Sequence, residues 1–175
     1  IDSHKALPTI KAPLSTLMNR EFIPFNAAIG AGIPMVMMGH LLVENVDPTY
    51  PASISQACVE GLLRKRLGYQ GAVITDDLQM TGITSGFSIE ERVVLALRAG
   101  VDLLLISKNP AEQCAAIEAI YKAVEGKLIK EDRINEAFLR VQNLRTLTNK
   151  GKSAANVGEL LAVLNRPEHK ELAES

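Results

Sequence analysis

Tryptophan is absent, aromatic residues make up only 4% of the chain, and Lys and Arg nearly balance Asp and Glu, at 19 against 20. Each lack excludes something. Without a basic excess there is no phosphate-tracking groove, and without aromatics no base-stacking platform, so nucleic acid is not an expected partner. No apolar run approaches the roughly 20 residues a membrane-spanning helix needs, so no membrane partner is expected. Residues 1–20 lack the basic, apolar and small-residue segments of a signal peptide, and the expectation is a cytoplasmic location. Cys58 and Cys114 are the two cysteines, far apart and each on the apolar stripe of a predicted helix. Buried thiols are expected of them, not a disulfide framework or a metal site. HExxH, paired CxxC, GxSxG and phosphate-cradling glycine motifs are all missing, so no metal and no cofactor is expected.

What is present is a chain of 175 residues with 47% apolar content and a net charge of −1, enough for one domain with a real core. Three short apolar runs, residues 33–38, 71–75 and 101–106, are bounded by Gly, Pro or polar residues. Continuous apolar character is the mark of a parallel strand buried on both faces. Helical spacing separates and follows them. Ile54, Ala57, Cys58 and Leu62 repeat behind Ser53, which with Gln56 reads as a capping box. Ser88 and Glu91 do the same before Ile89, Val93, Ala96 and Leu97. Cys114, Ile117, Tyr121 and Val124 mark a third helix, and Ile134, Ala137, Phe138, Val141 and Leu144 a fourth. Upstream, Leu14, Leu17 and Met18 begin a helix that must break near Pro24, where a second short helix can open and run through Ala28.

This alternation predicts βαβ crossovers and the α/β class. Three strands make an open sheet, or else part of a (β/α)₈ barrel, which takes eight strands and about 250 residues. Periodicity leaves both open. Residues 150–175 read as a linker, a short apolar helix around Leu160 to Leu164 and a charged end, either a final helix or the start of a connection to a further domain.

Candidate chemistry lies at the strand ends. Asp76 and Asp77 stand where the second apolar run stops, and ligands of parallel α/β sheets bind at the carboxyl ends of strands. A turn-capping role is the expectation for Asp77, and a functional one for Asp76. Asp2-Ser3-His4 pairs a carboxylate with an imidazole that it can orient and make more basic, which suits acid/base work near neutral pH, although a solvated loop has the same composition. His40 follows another strand end, where a hydrogen-bonded structural role is expected. Ser107, Lys108 and Asn109 end the third run with the polarity of any strand-to-helix loop.

Taken in order, Asp2-Ser3-His4-Lys5-Ala6-Leu7-Pro8, Ile23-Pro24-Phe25, Ala27-Ala28-Ile29, Gly32, Met38-Gly39-His40, Pro51-Ala52-Ser53, Leu67-Gly68-Tyr69 and Val73 through Met80 resemble successive motifs of the family 3 glycosidases. The resemblance runs from residue 1 to about 146 and is most specific at Thr75-Asp76-Asp77-Leu78. It implies the C-terminal part of a TIM-type barrel, about three βα units plus terminal helices within residues 1–149. It further implies Asp76 as nucleophile, and the acid/base dyad of the N-acetylglucosaminidase branch, His4 oriented by Asp2. The implied substrate is a terminal β-linked N-acetylglucosamine on cell-wall (peptidoglycan) fragments or related oligosaccharides. Phosphorolysis is the alternative, because a neutral histidine base does not repel phosphate. A non-catalytic half-barrel that needs a partner chain is another. Family members carry earlier strands whose Asp, Arg and Lys-His residues hold the sugar, and none of these is present here. The expectation is therefore one piece of a larger enzyme, completed by the N-terminal half of the barrel and with little activity alone.

Overall fold

In a computed structural model the described residues are 6–84 and 86–148, with positions 158, 166 and 167 beyond them. The chain divides after Leu144 into two compact units, and the architecture below is that of the first. The predicted helix at residues 160–164 lies outside the described residues.

The first two expected strands form at Met35–Met38 (β2) and Ala72–Thr75 (β4), paired in parallel with Met35 opposite Ala72 and Met38 opposite Thr75. The third run lies along the other side of β4. It joins at one parallel bridge, Ile74 to Leu103, and through the Asp102 and Leu103 amides, which both donate to the Val73 carbonyl oxygen. The order β2, β4, 101–106 is the order of the chain. Each step crosses over through a helix, as consecutive βα units do.

The crossovers are the helix Ala57–Arg66, wound in the wider i→i+5 manner, and α4, Ile89–Ala99. Following the sheet come α5, Pro110–Glu125, and α6, Glu131–Thr148. The capping box opening α4 forms as expected: the Glu91 amide donates to Ser88 Oγ at 3.3 Å and the Ser88 amide to Glu91 Oε2 at 2.8 Å. Gly100 closes that helix at φ 108°, where a Cβ would also run into the Glu60 side chain. The other expected box is corrected. Ser53 lies inside a buried 3₁₀ turn, Ala52–Ile54, and it is Ser55 Oγ that accepts from the Cys58 amide at 3.1 Å. Two serines, at residues 53 and 55, compete for one helix start, and the turn decides between them.

The notch near Pro24 is real. Helix α1, Leu14–Asn19, stops before α2, Phe22–Gly30, and Pro24 falls in the first turn of α2, where its missing N–H is not needed. A two-residue parallel pair, β1 (Thr9–Ile10) with β3 (Leu42–Val43), and a one-turn helix α3, Thr81–Thr84, are too short to show in any periodicity.

The core lies between β4 and its helices, where Val59, Val73, Leu78, Ile83, Val93 and Val101 are sealed from solvent. Burial on both faces holds for β4 but not for β2. Met37 is 52% exposed and Met35, on the same face of the strand, also faces out. Helix α5 likewise turns Ala116, Ala119 and Ala123 inward and leaves Ile117 and Tyr121 outside. Cys114 is therefore exposed, against expectation, while Cys58 is buried. Small residues let α5 lie close to α4, so the long apolar stripe is not the buried one.

Asp102 breaks an apolar run and its carboxylate is wholly buried. Oδ2 accepts from Arg64 at 2.7 Å and from the Val73 amide at 3.0 Å, while Oδ1 accepts from Arg133 at 2.7 Å and from Arg140 at 3.1 Å. The cluster ties the amino ends of β4 and the 101–106 segment to two helices. Asp102→Ala would leave arginines buried without their counter-charge, and the expected cost is about 3–5 kcal/mol, read from the urea midpoint. A loss under about 1 kcal/mol would mean that the cluster adds nothing to the fold.

Candidate active site

Strand β4 ends at Thr75, whose buried hydroxyl accepts from the Leu105 amide at 3.1 Å. The chain then turns. Its first residue, Asp76, is still part of the sheet through its amide, which donates to the Met38 carbonyl oxygen at 2.9 Å. Its half-buried carboxylate is aimed by the next peptide, since the Asp77 amide donates to Asp76 Oδ1 at 2.8 Å. The second oxygen of Asp76 takes no hydrogen bond from any described residue, which leaves it available to a ligand.

Asp77 differs in having both oxygens engaged. Oδ1 accepts from the Gln79 amide at 3.0 Å, an Asx-type turn, and Oδ2 accepts from the Ser107 hydroxyl. Burial works to raise the Asp77 carboxyl, but the Ser107 hydroxyl and the Gln79 and Ser107 amides outweigh it and hold the group below the usual range. It is thus ionised at neutral pH. Its stabilising contribution is complete above the ordinary carboxylate pKa and is lost as pH falls through the lowered folded value.

The turn is gripped from several sides. The Leu78 amide donates to the Leu105 carbonyl oxygen at 2.9 Å, and buried Arg92 of α4 donates to the Leu78 carbonyl oxygen. Gln79 Oε1 accepts from the Lys108 amide at 2.6 Å and the Asn109 amide at 3.2 Å, and its Nε2 donates to Glu112 at 3.1 Å. Asn109 caps α5 by accepting from the Ala111 amide at 3.0 Å. His40, only 1% exposed, places Nε2 2.8 Å from the Asp77 carbonyl oxygen and Nδ1 2.7 Å from Ser53 Oγ. Burial holds its pKa below the usual value against the pull of the Asp77 carbonyl and the Asp76 and Asp77 charges, with Arg92 adding to the depression.

The structure therefore brings together Asp76, Asp77, His40 and Ser107 at the carboxyl ends of the parallel strands β2 and β4 and of the 101–106 segment bridged to β4, where α/β barrels build their sites. Asp2 and His4 lie outside the described residues. Sequence reading overlooked Gln79 and Arg92, which hold the turn. A polar residue inside Leu78-Gln79-Met80 and an arginine on the apolar face of α4 were the available signals.

What such a turn belongs to is shown by comparison. Residues 1–144 match the model of the glycosyl hydrolase family 3 N terminal domain. A β-hexosaminidase of Thiobacillus denitrificans is 36% identical over 62% of this chain and 30% of its own length. One from Methylococcus capsulatus is 32% identical over 68% of this chain and 35% of its own. The solved family 3 β-N-acetylglucosaminidase of Paenibacillus sp. superposes with a TM-score of 0.83 at 38% identity, covering 90% of this chain and 31% of that one. The chain spans about a third of the length of these relatives. Because the matched region holds the sheet, its crossovers and the turn at Asp76, and takes in 144 of the 175 residues, the chain belongs to glycosyl hydrolase family 3.

Proposed function

We propose that this chain is the C-terminal part of the barrel of a retaining β-N-acetylglucosaminidase, with Asp76 as its nucleophile and His4, oriented by Asp2, as its acid/base. The observation that carries the reading is the state of Asp76: a carboxylate at a strand's carboxyl end, with one oxygen fixed by the Asp77 amide and the other available. An aimed carboxylate oxygen is what attack on an anomeric carbon needs.

In the first step Asp76 bonds to the anomeric carbon as the bond to the leaving oxygen breaks, and His4 gives that oxygen its proton. Water then attacks the same carbon, His4 takes the proton back, and the Asp76 carboxylate is released. Terminal β-linked N-acetylglucosamine on cell-wall fragments or related oligosaccharides is the substrate we assign, in keeping with the relatives named β-hexosaminidase. Most of the residues that bind the sugar are expected on strands upstream of this segment. Two features support that placement of further strands: Met35 and Met37 stand exposed on one face of β2, and one edge of β2 is paired by no described strand, which is otherwise an aggregation hazard.

Two inversions at one carbon leave its configuration unchanged. An enzyme carrying this segment within a whole barrel should therefore release N-acetylglucosamine first as the β-anomer, followed by proton NMR before mutarotation. Initial release of the α-anomer would overturn the retaining assignment. Sugar 1-phosphate as the main product at millimolar phosphate would overturn hydrolysis in favour of phosphorolysis.

A further inference from the structure

His40 is the imidazole beside the turn, yet it has no ring nitrogen to spare. His40 lies within hydrogen-bond distance of two different elements, is almost wholly buried, and stands on the loop leaving β2, the strand paired to β4. A carbonyl oxygen can only accept, so the 2.8 Å contact with Asp77 requires a proton on Nε2. Ser53, itself buried, then donates its hydroxyl proton to the bare Nδ1 at 2.7 Å. The tautomer follows from the partners. With both nitrogens occupied, His40 is excluded as an acid or base toward a sugar.

We propose that His40 is a positioning residue for Asp76: in its neutral Nε2–H form, locked by Ser53, it holds the carbonyl on the far side of Asp77 and so fixes the residue whose backbone amide aims the Asp76 carboxylate. This rests on Asp76 being the nucleophile. The link is short. The Asp77 residue whose carbonyl His40 holds is the one whose amide donates to Asp76 Oδ1, and the Met80 amide donates to the same carbonyl at 3.0 Å, closing the turn. Burial favours the neutral ring and outweighs the Asp77 carbonyl and the Asp76 and Asp77 charges, which draw a proton toward it, while Arg92 adds to the depression. Protonation would put a second donor against the Ser53 hydroxyl and force that hydroxyl to turn.

Side-chain reach gives a test. The glutamine amide can occupy the place of imidazole Nε2, and the asparagine amide that of Nδ1. In the whole-barrel enzyme His40→Asn should lower kcat about 10²-fold, the scale of a small misplacement of a reacting group, with KM little changed. His40→Gln should recover most of that loss. Equal kcat for the two variants would overturn the proposal. Should either fail to fold, nitrogen-15 NMR of the unmodified protein decides: a protonated Nε2 and bare Nδ1 at pH 7 are expected, and an Nδ1–H tautomer or a doubly protonated ring would overturn the assignment. If Asp76→Asn kept full activity, the nucleophile reading would fail instead, whereas an inactive Asp76→Asn with unaltered His40 variants would sink the positioning role alone.

Discussion

Asp76→Asn in the whole-barrel enzyme is expected to lower turnover about 10⁴-fold or more, whereas Asp77→Asn lowers it by about 10-fold to 100-fold. The two side chains are adjacent and chemically identical, so the difference tests geometry alone. An amide at Asp76 cannot bond to the anomeric carbon, and among the described residues the other carboxylate at this strand end, Asp77, has both oxygens engaged. At Asp77 the amide oxygen can still accept from the Gln79 amide, and only the Ser107 contact is compromised. What is lost there is the rigidity of the turn and a charge, not the bond-forming atom. Rates on an aryl N-acetylglucosaminide, with stability measured in parallel, check both values. Equal losses, or full activity in Asp76→Asn, would reverse the roles.

His4→Ala should slow natural substrates about 10²–10⁴-fold, the usual worth of general acid–base help, because a sugar leaving group needs a proton. Aryl glycosides with acidic phenols need almost none, so their first step should survive. Their second step lacks a base and becomes limiting. Azide attacks without being deprotonated, so adding it should restore turnover and yield a β-glycosyl azide. Asp2→Asn should show the same pattern more weakly, since it disturbs the orientation and basicity of the ring without removing it. If His4→Ala slowed natural and activated substrates alike and azide had no effect, Asp2-Ser3-His4 would be a surface loop and the acid/base would have to be sought elsewhere.

The parts of this site that could be read from sequence are those governed by local rules. An apolar run ending in a carboxylate is a strand aiming at a parallel sheet's ligand face, and Asp76 stands there. Ser88 and Glu91 satisfy each other across three residues, so their capping box needs no tertiary knowledge. What escaped depends on distant partners. His40 could be placed at a strand end, but its role requires Ser53, thirteen residues on, and Asp77, thirty-seven residues on. The role of Asp102, inside an apolar run, likewise depends on three arginines that come from residues 64, 133 and 140. A lone charge within such a run is itself a signal, since a buried carboxylate must be paired. The outward stripe of α5 misled for the opposite reason. Ile117 and Tyr121 have the spacing of a core face, and Ala116, Ala119 and Ala123 are what the fold buries.

One experiment bears on the central claim more directly than any substitution. A 5-fluoro analogue of an activated N-acetylglucosaminide, which keeps the 2-acetamido group, slows both steps, the second more than the first, and so strands the sugar on the nucleophile. Digestion and fragment-ion mass spectrometry of the trapped whole-barrel enzyme then locate the sugar on one residue. The ester is expected on Asp76. A label on Asp77, on another carboxylate, or on none at all while substrate is being turned over, would contradict the account.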